Sequence, residues 1–171
     1  MRQDPYVRPV LLALIECMRT ELAEADGPGL CDLGVVQGLF PPLDVECGSV
    51  DDAYEDSGCG GRGWARLRRV FPSTTLPAAD ADATYETGLA AEIEIGVARC
   101  VHVFGDPDGS APTGEQALGD TELVLSDMTA LYRALRCCFE KLDRDFVVGQ
   151  YEPIGGGAVG GGTWTVTVRV K

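Results

Sequence analysis

Positive charge is scarce in this chain. Fourteen lysines and arginines face 27 aspartates and glutamates, a formal net charge of −13. That balance opposes tight binding to a nucleic-acid backbone, whose affinity comes from cationic contacts, so sequence-reading of DNA is disfavoured. It suits solubility, attraction to basic partners, or the lining of a passage through which a polyanion slides without sticking.

Long apolar runs are missing as well. No run approaches the roughly 18 residues of a membrane span. Met1-Arg2-Gln3-Asp4-Pro5 leads into a helical pattern broken by charges rather than into the apolar core of a secretion signal. The expectation is a product that begins life in the cytoplasm and has no membrane partner.

Catalytic signatures are few. His102 is the single histidine, so any triad or Cys–His pair must use it, against the simpler reading of a surface or strand-edge side chain. Walker A, His-Glu-x-x-His and Gly-x-Ser-x-Gly patterns are absent. Gly58-x-Gly60-x-x-Gly63 and Gly155-x-Gly157-x-x-Gly160 match the dinucleotide fingerprint. Both run into predicted strands rather than the helix N-terminus that holds a pyrophosphate, and read as turn glycines.

The seven cysteines (Cys17, Cys31, Cys47, Cys59, Cys100, Cys137, Cys138) are odd in number and contain no Cys-x-x-Cys. The gaps from Cys31 to Cys47 and Cys59 are long for structural zinc, which takes ligands in close pairs. Cys137 and Cys138, on a helix, point about 100° apart. Buried thiols or late-forming disulfides are the simpler reading, with the redox state open. No metal, no cofactor and no enzymatic activity are expected, and a cysteine hydrolase using His102 stands as the enzymatic alternative.

What is present is a chain of 171 residues, 45% hydrophobic and 24% charged, with a mean hydropathy of +0.02. That is enough for one core. The 22 glycines and 10 prolines fall mostly in clusters, which implies loops on an ordered body.

Asp4-Pro5 signals a helix start, followed by Val7, Val10, Leu11, Leu14, Ile15, Met18 and Leu22 at three- and four-residue steps. Strands are predicted at Leu33 to Phe40 and Leu43 to Cys47. Another covers Trp64 to Phe71, with Trp64, Arg66, Arg68 and Val70 on one side and Ala65, Leu67, Arg69 and Phe71 on the other. Ala91 to Val103 alternates Ile93, Ile95 and Val97 against Glu92, Glu94 and Gly96. Asp120 is expected to cap a second helix with a stripe of Val124, Met128, Leu131, Leu135, Cys138 and Leu142, used against the chain's own sheet rather than as a coiled-coil seam. A hairpin ends the chain: Phe146 to Tyr151, a glycine loop, then Thr163 to Val170, with Trp164, Val166, Val168 and Val170 on its buried face.

The expectation is therefore one α+β domain over residues 1–171. It has a mostly antiparallel sheet, two amphipathic helices packed on one face, a C-terminal β-hairpin, and surface loops near 72–87, 105–119 and 155–162.

Arg62, Arg66, Arg68 and Arg69 form a dense basic patch in an acidic chain. They read either as a solvated strand face or as a docking site for an acidic neighbouring copy. Asp51, Asp52, Glu55 and Asp56 are the candidate cross-subunit partners. Two unlike patches on one protomer suit head-to-tail ring closure.

The stretch Cys59-Gly60-Gly61-Arg62-Gly63-Trp64-Ala65-Arg66-Leu67, then Phe71-Pro72-Ser73, and above all the glycine segment into Gly162-Thr163-Trp164-Thr165-Val166-Thr167-Val168 resemble small neck or tail-completion proteins of long-tailed actinobacterial phages. The element order resembles their tail terminators in particular. One departure is Ala158, where the family often carries a cysteine in the glycine loop.

The resemblance implies a structural virion protein made in the host cytoplasm. Its copies would form a ring, commonly a hexamer, that caps the tail tube and meets the head connector or stopper, with DNA passing through the lumen unread. Gly157 and Val159 of the glycine segment join the expected contact set. The alternatives are another neck component, a connector stopper or adaptor, or an acidic inhibitor that mimics DNA.

Overall fold

The computed structural model describes residues 4–25, 29–37, 60–84, 86, 88–102 and 111–171. Its elements are α1 (Val7–Ala23), β1 (Asp32–Val35), β2 (Gly61–Pro72), β3 (Leu89–Cys100), α2 (Gly114–Leu142), β4 (Phe146–Gly156) and β5 (Val159–Arg169). The predicted strand segments 38–40 and 43–47 lie outside the described residues.

The Asp4 carboxylate accepts the backbone N–H groups of Val7 at 2.6 Å and Arg8 at 2.7 Å. The Arg8 bond above all holds its pKa below the ordinary carboxylate value. With these free N–H groups satisfied, α1 starts and buries Val7, Val10, Leu11, Leu14, Ile15, Met18 and Leu22, the stripe its periodicity predicts.

The five strands form one sheet in the order β1-β2-β3-β5-β4. β1 runs parallel to β2 and the other pairs are antiparallel, so the sheet is mixed, mostly antiparallel with a parallel edge. β3 lies at its centre, and Ile93, Ile95 and Val97 are fully buried. They share one core with Ala65, Val166, Val168, Val170 and the inner faces of α1 and α2. Both helices therefore cover the same face of the sheet.

Three local expectations are corrected. First, α2 begins at Gly114 rather than at Asp120, so residues 114–119 are helix and not loop. Thr113 and Gln116 form a capping box: the Gln116 N–H donates to Thr113 Oγ1 at 3.2 Å, and the Thr113 N–H donates to Gln116 Oε1 at 2.8 Å. The buried stripe is also turned by about one residue, to Leu123, Asp127, Ala130, Leu131, Ala134, Leu135, Cys138 and Phe139, and Leu142 is exposed.

Second, β2 carries a bulge between Leu67 and Arg69. The extra residue reverses the alternation. Leu67 pairs with Ile93 on the helix side, while Arg69 pairs with Glu92 and Phe71 with Ala90 on the other side. Arg69 and Phe71 thus share the face of Arg66, and Val70 moves to the face of Leu67.

Third, the glycine segment is not a loop. Gly155, Gly156, Gly160, Gly161 and Gly162 occupy paired strand positions, and only Gly157 and Ala158 make the turn. Gly157 has φ +60°, which a glycine adopts without strain. The 72–87 excursion is tied down at its start, where the Arg169 guanidinium donates to the carbonyls of Ser73 at 3.1 Å and Thr74 at 2.9 Å.

Candidate functional site

The basic cluster sits on the sheet face opposite the helices, and the structure supplies its counter-charges from within. Arg66 forms a two-pronged pair with Glu94 of β3, Nε to Oε1 at 2.7 Å and Nη2 to Oε2 at 2.6 Å. Trp64 Nε1 donates to the same Oε1 at 3.1 Å. Trp64, Arg66 and Glu94 are all buried, so a planar, charge-assisted pair is what makes these ions tolerable there. Gly96 completes the arrangement: a Cβ at this position would lie 2.4 Å from the Trp64 ring.

Further along, the Arg69 Nε and Nη2 donate to Glu92 Oε2 at 2.9 and 2.7 Å, and the Arg69 guanidinium stands 4.9 Å from the centre of the Phe71 ring. Arg68 Nε is 3.5 Å from Glu92 Oε1. At the other end of β2, Arg62 pairs with Asp32 at 3.1 Å. The expected docking surface is thus largely self-neutralised. Arg66 is a buried structural cation, and only Arg68 and Arg69, 42% and 61% exposed at the side chain, still face outward.

Nor do the expected site residues form one patch. Gly61 pairs with Arg99, Arg99 with Gly160, and Gly160 with Gly155. Arg62, Gly157 and Val159 therefore share one end of the sheet, while Arg68 and Arg69 lie toward the other. Asp51, Asp52, Glu55 and Asp56 lie outside the described residues.

A second polar centre was not anticipated. Arg99 continues the inward phase of Ile93, Ile95 and Val97, and its Nε and Nη2 donate to Asp127 of α2 at 2.6 and 2.8 Å. Both side chains are 2% exposed. An arginine in an apolar strand phase demands a buried carboxylate, and that was the signal available in the sequence.

Beside this pair, Trp164 Nε1 donates to the Met128 carbonyl at 3.0 Å. Its ring lies 5.4 Å from that of Tyr132 and 5.5 Å from that of Tyr151. Burial, with the nearby Asp127 carboxylate adding to it, pushes the Tyr151 hydroxyl up to about 12. These contacts clamp α2 to β3, β4 and β5.

His102 is held by Asp120, whose carboxylate accepts its backbone N–H at 2.9 Å and sits 3.1 Å from Nδ1. Cys31 and Cys100 are each engaged in a disulfide, so the cysteine nearest His102 in sequence offers no thiol. Cys17, Cys137 and Cys138 are free. Burial foremost, then a hydrogen bond with Cys17, raises the Cys138 thiol far above its ordinary range.

Among the described residues no group of three or more histidine, cysteine or acidic side chains is placed to hold a metal ion, and no helix is long and apolar enough to cross a membrane. An open cleft of about 460 Å³ between α1 and α2 is lined by Glu21, Glu24, Glu122, Leu125, Thr129 and Arg133, among others. No protein-family model matches the chain, and no curated protein matches its sequence.

Proposed function

We propose that this protein is a structural component of a phage virion of the tail-terminator type, a ring-forming subunit that caps the tail tube and joins it to the head connector around a DNA channel. The observation that carries the reading is the element order of helix, sheet, helix and hairpin. The terminal hairpin runs its glycine segment directly into the Gly162-Thr163-Trp164 strand at the heart of the sheet, the stretch on which the resemblance rests.

Charge supports it. A six-membered ring carries six times −13, or −78, and a wall of that sign repels passing DNA. Cysteine chemistry agrees: disulfides at Cys31 and Cys100 persist in oxidising surroundings such as those of a particle released from its host.

The test is the native mass and shape of the purified full-length protein. A hexameric annulus by negative-stain microscopy, with a mass of six times 18.2 kDa, is the expected result. A monomer at every concentration, with no binding to tail tubes, overturns the reading. A stopper or adaptor in its place is told apart by which ring it joins, the connector alone rather than the tube. Steep, salt-sensitive binding to basic nucleases marks a DNA mimic instead.

A further inference from the structure

Four large apolar side chains of α2 are exposed, Leu142 at the end of the helix by 37% and, before it, Leu118, Leu125 and Tyr132 by 58%, 50% and 39%. The last three recur every seven residues. At about 100° per residue they drift only about 20° per step, so they form a single stripe about 21 Å long; Leu118 and Leu125 stand clear of the sheet, and Tyr132 rests one side of its ring on Trp164 and leaves the rest exposed. Isolated exposed leucines are ordinary, whereas an aligned apolar stripe marks a contact surface.

The flanking charges are arranged by half. Glu115 and Glu122 border the N-terminal part of the stripe, and Arg133 and Arg136 the C-terminal part; all four are exposed. Among the described residues Glu115, Glu122 and Arg133 make no ion pair, and Arg136 has only an exposed contact with Glu140 one turn on, at 3.1 Å.

We propose that this stripe is the docking site for a second copy of the same chain, its α2 lying antiparallel across the first with the two-fold axis at Leu125. In that register Leu125 meets the partner's Leu125, and Leu118 meets the partner's Tyr132. Arg136 falls within about one residue of the level of the partner's Glu115, and Arg133 within about two. Opposite charges then meet on the flank and the helix dipoles oppose. A parallel pairing in register would set Glu115 against glutamate and Arg136 against arginine, so the charge pattern selects the antiparallel one.

The contact is self-complementary, unlike the head-to-tail contacts that close a ring. It goes beyond the ring reading, because it links copies that do not sit side by side in one ring, and it stands or falls separately.

Leu125→Cys tests it directly. Under mild oxidation the full-length variant is expected to form a covalent dimer that the native chain, with its own free cysteines, does not. Leu118→Cys alone should give no more crosslink than the native chain, but should do so when mixed with Tyr132→Cys. In sedimentation of the non-crosslinked protein, Leu125→Glu should weaken the dimer by about tenfold or more. Glu115→Arg should weaken it too, and adding Arg136→Glu in the same chain should restore it. Rings or monomers whose Leu125→Cys form crosslinks no more than the native chain would overturn the proposal, whatever becomes of the ring.

Discussion

Removing the Asp127 carboxylate should cost this domain a large share of its stability. Asp127→Ala leaves the Arg99 guanidinium 2% exposed, with the partner that accepts from its Nε and Nη2 gone. Solvent screening does not rescue a charge so deep, so the cost is that of breaking a buried pair, about 3–5 kcal/mol. Against a typical stability of roughly 5–15 kcal/mol this is severe. For a chain of this length it lowers the melting midpoint by about 6–20 °C, at 2–4 °C per kcal/mol.

The assay is thermal and urea unfolding of the native chain, Asp127→Ala, and the double variant Asp127→Leu with Arg99→Met. Replacing both charges by apolar groups removes the desolvation cost along with the attraction. The double variant is therefore expected to lie within about 1 kcal/mol of the native chain or above it. An Asp127→Ala midpoint within about 2 °C of native, less than the shift expected for 1 kcal/mol, would refute the buried-pair reasoning. A double variant as damaged as the single one would place the loss in packing rather than charge.

Two further outcomes separate buried from exposed chemistry. Arg66→Ala takes the two-pronged partner from the buried Glu94, leaving it Trp64 Nε1 at 3.1 Å and Arg68 at 4.0 Å, and should cost about 3–5 kcal/mol, whereas Arg69→Ala, at a side chain 61% exposed, should cost under about 1 kcal/mol; equal urea midpoints would contradict the assignment of Arg66 to the interior. Tyr151 ionises near 12 when folded, against an ordinary value of 10.0. The folded state holds this proton more tightly, so its contribution to stability is intact below pH 10 and fades as pH rises from there through about 12. Ultraviolet titration of tyrosinate, with Tyr151→Phe as the reference, reads this directly, and a loss of one ordinary tyrosine near pH 10 in the variant would contradict it.

Strands with strict two-residue alternation were legible: Ile93, Ile95 and Val97 in β3, and Val166 and Val168 in β5, point inward as their pattern requires. What escaped are features that change pairing without changing composition. A bulge between Leu67 and Arg69 leaves no apolar signature, yet it moves Arg69 and Phe71 across the sheet. The phase of α2 was misjudged because Asp127 counts as polar in any hydrophobic pattern, and its burial follows only once Arg99 stands opposite it. Glycines at 155–162 resemble a loop because glycine weakens strands. In the fold at least one of them is required by close approach, since a Cβ at Gly161 would lie 2.1 Å from the backbone carbonyl oxygen of Val97.

The internal pairs also decide where the net charge acts. Arg62, Arg66, Arg68, Arg69, Arg99 and Arg169 pair with Asp32, Glu94, Glu92, Asp127 and Asp145. Among the described residues these pairs hold six of the chain's 14 cations and five of its 27 acids, which leaves eight cations against 22 acids outside them. The sheet is locally close to neutral, and the charge of the chain resides outside it. A head-to-tail contact that draws on the cations of the sheet must then recruit Arg68 and Arg69, exchanging Glu92 for a neighbour's carboxylate. Exchange of one carboxylate for another adds little affinity but fixes register. Charge reversal at Arg69 should accordingly alter the salt dependence and order of assembly more than its strength, while the same change at Arg66 attacks the fold before any neighbour is met.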